Sequence, residues 1–386
     1  MHRYHKWSLP VVLIIATVLI VGCVERKQLE NLGLITAAGF DMEKQNKIKG
    51  TVVIHKFDPI AQNMTKVIAD IAHTSRGLRQ KQNLESNQKL VTGQLRIAVY
   101  SKELAEKGII QLVDTLNRDS TVGNMVYLTV ADGSASSIMK IDLKTPTSIN
   151  LGTYLYNLIK QNVDGEQIIS PTLQEFNRNY NDTGKDPVLP ILKIKKNDVI
   201  ISGLALFNDD RMIDVLKPEK LFFLKILIDK YKAGTKEIGF NRGHFEKIIL
   251  KSAFQKERHV YNKLYISFDN IQTNSRIKLI DMKNLRFRVD VKLNSRLLEA
   301  TEPLDLGNPE AVKLIEKEIN KAVKKDIVDL LNHFQKLEVD PVGFGNEYQA
   351  HYRGKIPTTE EWKQKYKHAK FDVVVENKIV QTGVID

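Results

Sequence analysis

Cysteine is nearly missing from this chain: 386 residues contain one, Cys23. One thiol cannot close an intramolecular disulfide, so packing alone must hold the fold. The nine histidines are scattered, and no pair has metal-ligand spacing. HExxH, a P-loop glycine–lysine pattern and the GxSxG elbow are all absent. The serine of ADGSAS follows a glycine but lacks the elbow frame, and reads as a loop residue. Asp209-Asp210 sits between two apolar arms, where a turn favours Asp for backbone reasons. A glycoside hydrolase can draw its two acids from distant positions. These absences therefore leave catalysis without a candidate residue, and no metal or cofactor is expected.

Long apolar runs are equally scarce. The exception is LPVVLIIATVLIVG, from Leu9 to Gly22, which carries no charge and follows Arg3 and Lys6. A membrane span needs about 20 such residues and a signal-peptide core about 7 to 15. The length thus favours a signal peptide over residues 1–22. Small residues close the run, and Glu25, Arg26 and Lys27 follow Cys23 at once. Ile20-Val21-Gly22-Cys23 resembles a bacterial lipobox. In that resemblance Cys23 becomes the first residue of the processed chain, as an N-palmitoyl, S-diacylglycerol cysteine. Its thiol is the nucleophile, and its small neighbours give a protease access.

The net charge is +12, falling by two with Arg3 and Lys6. Lysines alternate with acids, as in KEINKAVKKD, and no arginine-rich tract is interleaved with aromatics. Nucleic acid is not an expected partner. Excess lysine suits a chain tethered to anionic lipid, worth about 1 kcal/mol per well-placed base.

Along the chain, Leu34–Phe40 reads as a buried strand, MEKQNK as a turn and IKGTVVIHKF as its partner. Ile60, Met64, Val67, Ile68 and Ile71 recur at helical spacing, predicting a helix over 60–78. Lys89–Tyr100 predicts one strand. SKELAEKGIIQLVDTLNRD predicts one helix, with Ser101 as N-cap and Leu104, Leu112 and Leu116 inward. MVYLTVADGSAS is a further strand. This alternation predicts an N-terminal α/β domain over 23–196. Tyr180–Pro190, YNDTGKDPVLP, is rich in turn formers and could be an exposed loop or an interface edge.

NDVIISGLALFNDDRMIDVL reads as a hairpin opening a second, α+β region over 197–386, with a division near 270. KLYISFDN, SRIKLIDM and LRFRVDVKLNSRLLEAT read as three strands. In the last, Phe287, Val289, Val291 and Leu293 alternate with Arg288, Asp290 and Lys292, which leaves one face wet. Asn308, Pro309 and Glu310 then start a helix as cap, first residue and dipole partner. Its apolar stripe runs Val312, Ile315, Ile319, Val323, Ile327, Leu330 and Phe334, opposite Lys317, Lys321, Lys324 and Lys325. Thr358 and Glu361 have capping-box spacing. On the helix that follows, Trp362 and Tyr366 share a face that could complete a core or dock a partner. FDVVVENKIVQTGVID reads as strand, turn and strand. The fold class expected is mixed α/β and α+β, multi-domain, each domain a mixed β-sheet packed with helices.

Several segments in order resemble one family, the C subunit of spore germinant receptors, often called Ger(x)C lipoproteins. They are Cys23 with LENLGLITAAGFD, VYSKELAEKGIIQLVDTLNRDSTVGN, ISGLALFNDDRMIDVL, and DPVGFGNEYQAHYRGKIPTTEEW with FDVVVENKIVQTG. Val24 departs from the aromatic expected after the cysteine. The resemblance implies a non-catalytic subunit, lipid-anchored through Cys23 on the outer surface of the spore inner membrane. It implies two partners: a larger A-type membrane subunit with soluble domains and a multi-span, transporter-like B-type subunit. Two other classes remain: a solute-binding lipoprotein feeding a transporter, for which two similar lobes are expected, and a cell-wall hydrolase.

Overall fold

The computed structural model describes residues 32–55, 65–143, 149–228, 234–250 and 262–382. Two mixed β-sheets, each covered by helices, carry the chain. The first sheet begins with β1 (Leu32–Glu43), which turns through Gln45 and Asn46, both at positive φ, into antiparallel β2 (Lys47–His55). β3 (Thr65–Ala72) extends that edge. On the other side of β1 run the parallel strands β5 (Ile97–Ser101), β6 (Tyr127–Ala131) and β7 (Val188–Lys195). Antiparallel β8 (Asp198–Asn208) and β9 (Arg211–Leu216) complete the order β3-β2-β1-β5-β6-β7-β8-β9, and short β4 (Lys89–Val91) pairs the start of β1.

Helices cover both faces, as parallel strands require. On one face lie α1 (Ser75–Leu84), α2 (Lys102–Lys107), α3 (Ile110–Asn117) and, later in the chain, α6 (Leu173–Asn181). They bury Leu78, Leu104, Leu112, Leu116 and Phe176 against Phe40, Val52 and Tyr100. On the opposite face α4 (Ala135–Met139) and α5 (Leu151–Asp164) bury Ile138, Leu155 and Ile159 against Val53, Ile97 and Val99.

α7 (Pro218–Ile228) leads to the second sheet, β10 (Thr235–Asn241), β11 (Lys263–Asp281), β12 (Arg286–Ala300) and β13 (Lys370–Thr382). Its order is sequential, with β13 parallel to β12. The expected alternation holds: Phe287, Val289, Val291 and Leu293 are all buried. α8 (Pro309–Leu337) covers this face, capped by the Asn308 side chain accepting from the Glu310 N–H, with Pro309 leading. Ile315, Ile319, Val323, Ile327, Leu330 and Phe334 are buried along it, and Lys317, Lys324 and Lys325 are exposed. α9 (Phe344–His351) and α10 (Thr359–Tyr366) follow, and α10 carries the Thr358–Glu361 capping box. One apolar core joins Leu204, Leu206 and Leu216 of β8 and β9, through Phe222 and Phe223, to the second sheet.

Several expected elements differ. Residues 65–72 form β3 rather than helix, and α1 starts only at Ser75, capped by Thr74. Ile68 packs into one core and Val67 against the other, so both faces are covered and the apolar run loses strand alternation. The expected strand over 89–100 is two, because the chain steps at Thr92–Leu95 while passing along the edge of β1. The helix expected after Ser101 breaks at Gly108, φ +122°, where a β-carbon would meet the Asp210 carboxylate. The 198–216 hairpin pairs with β7 and continues the first sheet instead of opening a second unit. A division near 270 falls inside β11, which pairs with β12 on both sides of that residue. The tail contains one strand, because β12 pairs with the ENK segment throughout.

Candidate functional site at the seam between the sheets

The turn-rich stretch 182–187 is neither exposed nor an outer edge. It docks onto residues 340–349, more than 150 positions later. Asp186 lies at the contact: its carboxylate accepts the Asp340 N–H at 2.7 Å, and its own N–H donates to the Asp340 carbonyl at 3.0 Å. Asp340 in turn accepts the N–H groups of Gly343 and Gly345, each at 2.8 Å, and the indole N–H of Trp362 at 3.3 Å. Gly343 at φ +95° turns the chain so that these donors converge. Around this centre Asn346 donates to Asp182 at 2.6 Å and Gln349 to Thr183 at 2.7 Å.

Burial pushes Asp340 up to about 7, against three backbone donors that pull it down. Burial likewise raises Asp186 to about 6, opposed by the Asp340 N–H and the Lys363 charge. Lys363 is itself buried, and its ammonium donates to Asn208 and, at 2.9 Å, to Asp209. Asp209 occupies the β8–β9 turn at φ +56°. Its neighbour Asp210 accepts the Ile110 N–H at 3.1 Å and so caps α3. The turn acids, expected only for backbone reasons, therefore fasten three elements together. Sequence reasoning missed Asp186, Asp340 and Lys363, because no local spacing relates residues so far apart.

Trp362 and Tyr366 are 2% and 1% exposed. Trp362 stacks on Tyr348 with centroids 5.4 Å apart and meets Phe287 edge-on at 6.5 Å. Between the two roles open to this face, the structure selects core. Both oxygens of Asp340 are occupied by N–H donors. The seam is a joint.

A groove of about 880 Å³ opens on the first sheet between α1 and α3, floored by Phe40 and Val52 and walled by Leu78 and Leu112. That volume is in the small-ligand range. Its rim is largely self-paired: Arg79 holds Asp119 at 3.1 Å and Arg118 holds Asp114 at 2.8 Å. Among the described residues, no group of three or more metal-ligating side chains gathers, and no helix is long and apolar enough to cross a membrane. Cys23 and the segment before it lie outside the described residues.

A nine-stranded mixed sheet sewn to a four-stranded one defines a two-sheet, non-repeating α+β protein. Residues 25–194 match the family described as spore germination protein N-terminal domain, and 202–383 the spore germination B3/GerAC-like C-terminal domain. The chain belongs to this spore germination protein family. It is 27% identical to spore germination protein GerQC of Bacillus cereus over 382 residues, covering 99% of each chain. Spore germination protein KC of Bacillus subtilis is 21% identical, over 98% of this chain and 96% of that one. The crystal structure of the GerBC protein shares the fold, with TM-score 0.56 at 13% identity, covering 92% of this chain and all of that one.

Proposed function

We propose that this chain is the lipid-anchored, non-catalytic C subunit of a nutrient germinant receptor, required for the germination response. The observation that carries the reading is the pair of family matches, which run in order across nearly the whole chain. Cys23 is the attachment point, as N-palmitoyl and S-diacylglycerol cysteine, and residues 1–22 are the signal peptide removed before it. The partners are membrane lipid and the A-type and B-type membrane subunits, on the outer surface of the spore inner membrane. The chain divides into an N-terminal family region ending near 196 and a C-terminal one whose first two strands, β8 and β9, complete the first sheet. Supporting a binding role over catalysis, the polar side chains of the seam are spent on holding backbone and one another.

The test uses spores carrying Cys23→Ala in place of the wild-type chain. The variant should carry no lipid and keep residues 1–22 uncleaved, without the two-chain attachment that stable anchoring takes, and nutrient-triggered dipicolinate release should be lost. Wild-type protein whose mass shows an unmodified Cys23, or variant spores that respond normally, would contradict the reading.

A further inference from the structure

We infer that the N-terminal end of the parallel strands of the first sheet lies against the bilayer, with Leu84 and Met125 in the headgroup region. The inference rests on lipidation of Cys23. Only nine peptide steps separate Cys23 from Leu32, a reach of at most about 30 Å. β1 has 12 residues and so runs about 40 Å to the β1–β2 turn. A lipid at Cys23 therefore keeps the start of β1 near the membrane, and its tether is shorter than the strand it would have to pass.

The surface at that end matches this constraint. Ala37, Ile97 and Tyr127 are aligned across β1, β5 and β6, so Met125, in the turn just before β6, lies toward the start of β1. Leu84 closes α1 just before β4, whose Lys89 is paired with Leu32. Among the described large apolar side chains Leu84 and Met125 are the most exposed, at 83% and 66%, ahead of Ile356 at 62%. Two unrelated segments thus place their least-buried apolar groups at one end of one sheet. Ile149, also exposed, precedes Asn150, whose side chain bonds Thr36 and the Ile54 carbonyl at the same level.

Cations flank these groups. By backbone register Lys66 lies across from Ile54 and Lys89 from Leu32, with the Lys66 ammonium on Asn87; Arg96, whose N–H donates to the Thr36 carbonyl, has its guanidinium over the Tyr156 ring. Glu85, Asp119 and Asp164 share this end, Asp119 paired with Arg79 and Asp164 with Lys160 beside Tyr127. Apolar tips beside exposed Lys89 and half-buried Lys66 suit an anionic lipid surface, where tips enter the headgroups and bases meet phosphate. The occupant is the bilayer itself.

Cys23 is the only native cysteine, so in the lipidated chain an added cysteine is a unique label site. Full-length protein carrying Met125→Cys, Lys89→Cys or Lys44→Cys is checked by mass for the Cys23 lipid. It is then labelled with a small fluorophore and placed on phosphatidylcholine–phosphatidylglycerol vesicles containing headgroup-quencher lipid. Labels at 125 and 89 should be quenched several-fold more than the label at 44, in the opposite turn. Equal quenching at all three, or stronger quenching at 44, on protein with Cys23 lipidated overturns the orientation alone. A Cys23 without lipid overturns the anchor and the orientation with it.

Discussion

The backbones of Gly184 and Gly345 are in direct contact. A β-carbon on Gly184 would lie 2.5 Å from the carbonyl carbon of Gly345, and one on Gly345 would lie 2.8 Å from the Gly184 oxygen. Neither segment can retreat, because Asp186 and Asp340 exchange hydrogen bonds beside it. Gly345→Ala should therefore cost about 3 kcal/mol or more, the upper end of overpacking penalties. Thermal unfolding of the described domains checks this; an unchanged midpoint would mean that the two segments are not locked together.

The paired carboxylates give the seam a pH dependence. Burial raises Asp340 to about 7 and Asp186 to about 6, from 3.8. Between the ordinary and raised values the folded chain binds more protons than the unfolded one. Stability from these groups is therefore present at low pH and declines as pH rises from about 4 to about 7. At about 1.4 kcal/mol per unit, the effect is on the order of a few kcal/mol. Asp340→Asn should flatten the decline. It should also weaken the fold by about 1–3 kcal/mol, because an amide N–H would face the donors of Gly343, Gly345 or Trp362. Denaturant titrations at pH 5 and pH 8 measure both; a wild-type slope equal to the variant's would contradict the assignment.

Trp362→Ala should behave as a core truncation, costing about 3–5 kcal/mol. The indole is enclosed by Tyr348, Phe287 and Tyr366, and its N–H is bonded to Asp340. Calorimetry of the folded domains tests this directly. Unchanged melting with lost association to other subunits would restore the docking role.

What could be read locally in the sequence was what local physics decides. Asn308, Pro309 and Glu310 start α8, and Thr358 with Glu361 caps α10, because a cap needs only its own first turn. The 287–293 alternation survived because one face of β12 is wet. β3 carries no strand period because both its faces are covered, and β4 and β5 look like one strand because both pair with β1. The seam was illegible for a different reason. Asp186 with Asp340 and Asp209 with Lys363 are each separated by 154 positions, so only the assembled fold brings them together.

A receptor subunit should bring its partners with it. The decisive measurement is the protein composition of complexes purified through the lipidated chain from detergent-solubilised spore inner membranes. A larger membrane subunit with soluble domains and a multi-span, transporter-like subunit should be recovered in comparable amounts. Recovery of the chain alone, together with normal nutrient germination of spores that lack it, would contradict the receptor role.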